Sequence, residues 1–238
     1  MELRVVSCPS NELAFTNCVF LNPRDASTLG IEGDIHLDLR GFVYAAKAHE
    51  NVESGGVGMN SIQRRLIEAS LGDNVPAAVF AEAEATLLST AAMEIDFVVK
   101  KKSAATETID GAALAAALAT RHAHQYLTSG QSIAVEYQGT NLLIKVGPLE
   151  ALVISKSGGG GLPDGGKVSR GMLVSQTQLL LSKAQGSPIV LTGMENQARK
   201  TIFKQDFSFA EMGIGGLDKE FSDIFRYIGA LAPSRPRA

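Results

Sequence analysis

Two short runs of basic residues are the side chains best suited to bind a partner by charge. Arg64 and Arg65 are adjacent, and Lys100, Lys101 and Lys102 form a second run further along the chain. Guanidinium and ammonium groups attract acidic protein surfaces and speed encounter with them. The same runs are also typical of a solvated helix face and a solvated strand end. The charges alone leave both interpretations open.

The glycine-rich segment 157–166 invites comparison with a phosphate-binding loop. A P-loop requires GxxxxGK followed by Ser or Thr, because the Lys reaches the phosphates and the hydroxyl holds magnesium. Here Gly166 and Lys167 are followed by Val168. The pattern therefore predicts a flexible loop.

A second glycine-rich strip lies between an apolar stretch and a helix pattern that begins at Glu220. Glycine allows a backbone to approach a ligand or a neighbouring chain closely, although an ordinary turn has the same composition. The strip comprises Gly213, Ile214, Gly215, Gly216 and Leu217.

No pattern of catalytic or metal-binding residues is present. His122 and His124 are two apart on a predicted helix and would point in different directions. Cys8 and Cys18 form no CxxC pair and have no histidine near them in sequence. GxSxG and HExxH motifs are absent. We therefore expect a non-catalytic chain without a resident metal.

Composition limits the class of protein. The 238 residues are 45% hydrophobic and 20% charged, which is ordinary for a folded domain, and the net charge of −3 argues against nucleic-acid binding by bulk electrostatics. No basic segment followed by an apolar run marks a signal peptide, and no stretch approaches the ~20 apolar residues of a membrane span. We expect a cytoplasmic protein with reduced thiols.

The first 80 residues predict a small β-barrel. Ile35, Leu37 and Leu39 alternate with polar residues, and the run 42–45 follows a glycine as a partner strand. A short amphipathic helix is predicted over 61–69. Several short strands with glycine turns in such a length favour a closed barrel.

Residues 85–204 predict an α+β unit. Met93, Ile95 and Phe97 lie on one face of a strand that leads to the lysine run, and a helix begins after the N-cap Asp110 and ends at Gly130. Runs 132–137 and 141–146 predict a hairpin. Further strands are predicted at 172–174, 178–181 and 189–191.

The segment 205–238 is predicted to be a linker and the truncated start of another domain. Its residues 212–226, MGIGGLDKEFSDIFR, resemble the opening of the first ATPase domain of the N-ethylmaleimide-sensitive fusion factor family, a group of vesicle-fusing AAA ATPases. Other matches follow the family order: Cys8-Pro9, Glu12-Leu13, Thr16-Asn17-Cys18, Gln63-Arg64 with Gly72, and Glu94-Ile95-Asp96-Phe97 before Lys100-Lys101.

This resemblance implies a fold, a partner and a set of contacts. The family's N-terminal region pairs a double-psi β-barrel with an α/β roll-like unit, and a basic groove between them binds the soluble attachment protein, SNAP, on SNARE complexes. Hexameric ATPase rings then disassemble the SNAREs at Golgi and transport-vesicle membranes. Arg64, Lys100 and Lys101 match the family's basic positions; Arg65 and Lys102 are their neighbours. Weak binding by the isolated chain is expected.

The resemblance also limits the chain's role. Gly213 to Gly216 are similar to a strip that lies against adenine in AAA domains, but the Walker motifs are absent here. ATP and magnesium are therefore expected outside this chain, and hexamers only in a full-length protein. Ser7 stands where the family often has a basic residue, and Arg4 is a possible substitute.

Three alternatives are open. The same architecture serves the N-terminal region of valosin-containing protein, which binds ubiquitin-linked adaptors. Some double-psi barrels are free-standing enzymes, although no acid–base or nucleophile set is evident here. A third possibility is a module that merely spaces the ATPase domains.

Overall fold

The computed structural model describes residues 1–29, 35–81, 86–99, 106–152 and 166–194. The described residues all belong to one compact unit, Met1–Met194. The predicted segment 205–238 and nearly all of the glycine-rich loop 157–166 lie outside the described residues. The predicted domain boundaries stay predictions.

Six strands within the first 80 residues close into a barrel, as the sequence predicted. They are β1 (Glu2–Ser7), β2 (Cys18–Leu21), β3 (Ile35–Leu39), β4 (Phe42–Ala48), β5 (Gly56–Met59) and β6 (Asn74–Phe80). Two short helices, α1 (Pro23–Thr28) and α2 (Ser61–Leu66), join them. The side chains inside the barrel are almost entirely apolar, with Leu37, Leu39 and Val57 fully buried.

The barrel connectivity contains an internal twofold. The order around the barrel is β1-β5-β2-β4-β3-β6; the β1–β5 and β2–β4 pairs are parallel and the others antiparallel. Advancing every strand by three positions in the numbering reproduces the same order and the same orientations. This arrangement is consistent with a double-psi barrel.

Strand β5 shows why a glycine-rich passage can be part of a core. A Cβ on Gly56 would lie 2.9 Å from the carbonyl oxygen of Glu53, and one on Gly58 would lie 3.2 Å from both Phe20 Cβ and Pro9 Cδ. Such close approach of backbone requires glycine. The two glycines are therefore what allows this strand to fit.

The second lobe, which we define as the described residues from 86 to 194, has a main sheet and one helix. Its sheet order is β10-β11-β7-β14 with β12 beside β11, and β9–β13 and β8–β15 form two smaller pairs. The helix is α3 (Gly111–Arg121), and its buried Leu114 and Leu118 belong to the lobe's core. The strands are β7 (Leu88–Phe97), β8 (Glu107–Asp110), β9 (Tyr126–Thr128), β10 (Ser132–Tyr137), β11 (Thr140–Ala151), β12 (Lys167–Val168), β13 (Arg170–Met172), β14 (Gln178–Lys183) and β15 (Ile189–Thr192).

The predicted hairpin and the start of α3 are confirmed. β10 and β11 are antiparallel, and Gln138 and Gly139 between them have φ of 50° and 78°, as a type I′ turn requires. The side chain of Asp110 accepts a hydrogen bond from the Ala113 N–H at the N-cap. Strands β14 and β15 also lie where the sequence placed them, whereas β13 ends at Met172 rather than beginning there.

The predicted end of α3 at Gly130 is wrong, because the helix stops at Arg121. His124 adopts a left-handed conformation with φ of 64°, and its N–H donates to the Leu173 carbonyl at 2.9 Å. The chain then enters β9, whose buried Tyr126 and Leu127 had extended the apolar pattern of the helix. Over the described ranges, no helix is long and apolar enough to cross a bilayer.

We predict that Tyr44→Phe leaves stability unchanged or raises it. Tyr44 is fully buried in the barrel core, burial raises its pKa, and its hydroxyl has no hydrogen-bond partner among the described groups. Removing an unsatisfied hydroxyl relieves a desolvation cost of about 1–3 kcal/mol. Guanidinium unfolding would show this, with Tyr44→Ala as the control that costs about 3–5 kcal/mol. A clear loss of stability in the Phe variant would show that the hydroxyl is satisfied.

Candidate partner-binding site

The basic helix α2 is fixed at its N-terminus by a reciprocal capping box. The Asn60 side-chain oxygen accepts from the N–H groups of Ile62 and Gln63 at 2.9 and 2.8 Å. The Gln63 side-chain oxygen accepts in turn from the Asn60 N–H at 2.9 Å. These bonds satisfy amide groups that a helix end otherwise leaves unpaired. They allow a helix of only six residues to have a defined start.

The C-terminus of α2 is held by an arginine of the barrel. Arg40 Nη1 donates to the carbonyl oxygens of Ile67 and Glu68 at 2.8 and 3.0 Å. A cation bonded to the last carbonyls is a favourable helix terminus. The turn that carries Arg64 and Arg65 is therefore fastened at both ends.

Helix α2 lies against β10, the edge strand of the main sheet in the second lobe. Arg64 and Arg65 consequently lie near the seam between the barrel and the second lobe. This is the region where the resemblance placed a basic groove.

The two arginines differ in packing. Arg64 is half-buried, its Nε is enclosed and has no hydrogen-bond partner among the described groups, and Arg65 is exposed. Within the described residues the one ion pair joins Arg170 to Asp38, so neither arginine of α2 is neutralised by an acidic side chain. The packed stem of Arg64 restricts its rotamers, whereas the exposed side chain of Arg65 is free of such packing.

The lysine run cannot be placed in the same way. Lys100, Lys101 and Lys102 lie outside the described residues. Strand β7, which leads to them, ends at Phe97 opposite Leu142 of β11, and Leu142 lies opposite Val135 of β10. Convergence of the lysines with Arg64 stays a prediction.

Two other sequence predictions concern the glycine strip 213–216 and the pair Ser7 and Arg4. Gly213, Ile214, Gly215 and Gly216 also lie outside the described residues. Ser7 and Arg4 line one open groove of about 610 Å³ on the outside of the barrel, together with Val5, Val6, Asn51, Glu53, Leu71 and Gly72. Arg4 therefore lies in the same groove as Ser7. That Arg4 takes the role of the basic residue that the family often has at the position of Ser7 stays a prediction.

A buried amide cluster that sequence reasoning missed joins the barrel to the second lobe. We define it as Asn17, Gln125 and Gln131. Asn17 Nδ2 donates to Gln125 Oε1 at 3.2 Å, and Gln131 Nε2 donates to Asn17 Oδ1 at 3.3 Å. Asn17 has φ of 57°, a conformation that asparagine tolerates better than most residues. Buried amides paired in this way fix one relative placement of the two lobes.

Further contacts cross the same seam. Arg170 of β13 bonds Asp38 of β3 at 3.0 Å, and its guanidinium lies 5.4 Å from the centre of the Phe80 ring. The Thr128 hydroxyl accepts from the Val43 N–H at 3.3 Å. The seam is thus closed by directed polar bonds as well as by packing.

His122 lies beside the amide cluster. It is buried, and its Nδ1 is 3.2 Å from Gln125 Oε1. Because that oxygen is an acceptor, Nδ1 carries the hydrogen. Burial lowers the pKa of His122 to about 4, with nearby Arg121 acting in the same direction and Gln125 opposing. His122 is therefore neutral at physiological pH.

Comparison with known proteins identifies the relatives of this two-lobed chain. It is 31% identical over 230 residues to a vesicle-fusing ATPase of Arabidopsis thaliana, covering 95% of this chain and 30% of the relative. It is 29% identical over 230 residues to the vesicular-fusion protein sec18 of Schizosaccharomyces pombe, covering 94% and 28%. The Saccharomyces cerevisiae protein SEC18 is 26% identical over 232 residues, covering 94% and 30%. No family model matches the chain.

The chain is similar to vesicle-fusing ATPases along nearly its whole length. It spans less than a third of the length of these relatives and corresponds to their N-terminal part. The resemblance to the N-ethylmaleimide-sensitive fusion factor family is thereby confirmed along nearly the whole chain. The names of these relatives describe complete proteins, of which this chain matches only one part.

We predict that His122 makes stability fall as pH falls from about 6.5 to about 4. The unfolded state binds a proton on His122 in this window and the folded state does not, so stability is complete above pH 6.5 and declines below it. The total effect is on the order of 3 kcal/mol. Chemical unfolding at pH 7 and pH 5 should show a smaller loss in His122→Asn than in wild type.

The matched control for this prediction is His124→Asn. His124 is exposed and left-handed, a conformation suited to asparagine. This variant should keep the wild-type dependence on pH. Equal pH dependence in all three proteins would contradict the assignment to His122.

Proposed function

We propose that this chain is the N-terminal adaptor-docking region of a vesicle-fusing ATPase and that it binds SNAP on SNARE complexes. The observation that carries the proposal is the fixed helix α2, whose Arg64 and Arg65 form no ion pair with any acidic side chain of the described residues and lie near the seam of two lobes. Homology to vesicle-fusing ATPases supports it. In this proposal Lys100 and Lys101 complete the basic surface, and Lys102 adds to its rim.

We also propose an assignment for each part of the chain. We assign the barrel as a double-psi barrel, the second lobe as an α/β roll-like unit, and 205–238 as a linker with the start of the first AAA domain. Gly213 to Gly216 would then lie near nucleotide in a full-length hexamer, where separate ATPase segments hold ATP and magnesium. The chain itself would be non-catalytic and act beside Golgi and transport-vesicle membranes.

The chemistry of the surface indicates how binding works. An exposed ion pair contributes about 0–1 kcal/mol, so a few of them give weak binding to one partner molecule. Several copies around a ring that meet several adaptors gain affinity through effective concentration. We therefore expect weak, salt-sensitive binding of the isolated chain to SNAP, and stronger binding when a SNARE complex presents several SNAP molecules.

We predict that the charge reversal Arg64→Glu, Lys100→Glu, Lys101→Glu abolishes binding. Wild-type chain would be immobilised at high density and exposed to purified SNAP, with and without assembled SNARE complex, across a salt series. The reversed chain should lose binding because its surface repels an acidic partner. Circular dichroism would verify that its fold is unchanged.

A second triple reversal serves as the matched control. Lys47, Lys145 and Lys183 are exposed on other strands, and Lys→Glu at all three changes the net charge by the same amount. This variant should bind like wild type. Equal loss in both variants would mean that net charge governs binding, and no binding by wild type would overturn the proposal. Binding of a ubiquitin-linked adaptor instead of SNAP would favour the valosin-containing-protein alternative.

A further inference from the structure

The first turn of α2 is tied to a short segment, residues 14–18, that leads into β2. Gln63 is buried with 1% exposure, and its Nε2 donates to the Cys18 carbonyl at 3.0 Å. Asn60 Nδ2 donates to the Ala14 carbonyl at 2.7 Å. The same two side chains that cap α2 therefore fasten it to residues 14–18. These two bonds do not cap the helix. They hold α2 against residues 14–18.

The second lobe holds this same segment from the other side. Gln125 Nε2 donates to the Thr16 carbonyl at 3.0 Å and lies 3.7 Å from Cys18 Sγ. Asn17 between them bonds Gln125 and Gln131. Residues 16–18, which we name the anchor segment, are thus bonded by α2 and by the second lobe together. A continuous line of hydrogen bonds joins the basic helix to the opposite lobe.

We propose that Gln63 is a positioning residue for Arg64: through the anchor segment it sets the basic helix in register with the second lobe. This inference rests on the proposed function, since it concerns the same docking surface. Gln63 cannot contact a partner because it is buried, but it precedes Arg64 in the same turn. Its role is to fix where the Arg64 charge stands relative to the other lobe.

The physical reason lies in the entropy of docking. A partner that meets α2 and the second lobe together gains most when their spacing is already fixed, because ordering them on binding reduces affinity. If the amide of Gln63 is removed, the Cys18 carbonyl loses this donor and the Asn60 N–H loses its acceptor. Helix α2 keeps the N-cap oxygen of Asn60 and the bond to the Ala14 carbonyl, but it loses its bond to the anchor segment. The helix then samples several positions, each with the same charge.

The first test needs no partner and uses the full chain. In Gln63→Met, a variant of similar volume, backbone hydrogen exchange of α2 should accelerate at least about tenfold while the strands of the barrel keep their protection. Gln176 is exposed in a turn of the second lobe, so Gln176→Met is the matched control and should change nothing. Unchanged exchange of α2 in a folded Gln63→Met chain would overturn the proposal.

The second test is a double-mutant cycle with SNAP–SNARE complex as the probe. Gln63→Met should weaken binding about fivefold to tenfold, and Arg64→Ala should weaken it as well. In the Arg64→Ala background, Gln63→Met should have little further effect, because Gln63 acts through Arg64. Fully additive losses would show that Gln63 supports the fold in general and would overturn the positioning role.

Asn60→Asp keeps the test decisive if Gln63→Met does not fold. Aspartate retains the N-cap oxygen but lacks the donor to the Ala14 carbonyl. Like Gln63→Met, it should accelerate hydrogen exchange of α2 and weaken SNAP binding, but by smaller factors. Faster exchange without any wild-type binding of SNAP would support the positioning role and reject the proposed function. Wild-type exchange and binding in Asn60→Asp, with Gln63→Met unfolded, would overturn the positioning role.

Discussion

The hydrogen bonds of the anchor segment are the constraint on which the rest of this structure depends. Beside them, the barrel and the mixed sheet meet through apolar contacts, which are not directional, and through the polar contacts Arg170–Asp38 and Thr128–Val43. Buried amides demand their partners, since each unsatisfied group costs about 1–3 kcal/mol. Asn17, Gln125 and Gln131 satisfy one another only in one placement of the lobes. The described residues therefore form a single body rather than two lobes on a hinge.

That constraint gives meaning to charges that would otherwise be ordinary. A surface arginine on a free helix contributes little to binding, because a partner must order its side chain and its helix. Arg64 is carried on a turn that Asn60 and Arg40 hold at its two ends. The edge strand β10 supports the same turn from the second lobe. Electrostatic attraction is thus combined with a defined geometry, which is what specificity requires.

The sequence predicted the features that local chemistry determines. The β10–β11 hairpin follows from Gly139 in its turn, and α3 begins where Asp110 provides a cap. The end of α3 was not predictable, because the Leu173 carbonyl that receives the His124 N–H is remote in sequence. The amide cluster escaped for the same reason, since the Asn17–Gln125 bond joins residues 108 positions apart. The family resemblance indicated which positions are basic. The bonds that hold the helix of Arg64 in place join residues that are remote in sequence, so the sequence pattern did not predict them.

Neither lobe alone contains the candidate site. The barrel supplies α2, yet the segment to which α2 is tied is completed by side chains of the second lobe. The second lobe supplies β10, the strand against which α2 lies. A partner that binds charges on both sides of the seam would therefore bind only when the lobes have the correct relative position. Binding by the proposed surface would be a property of the whole unit, because a change far from any arginine would alter it by moving one lobe against the other.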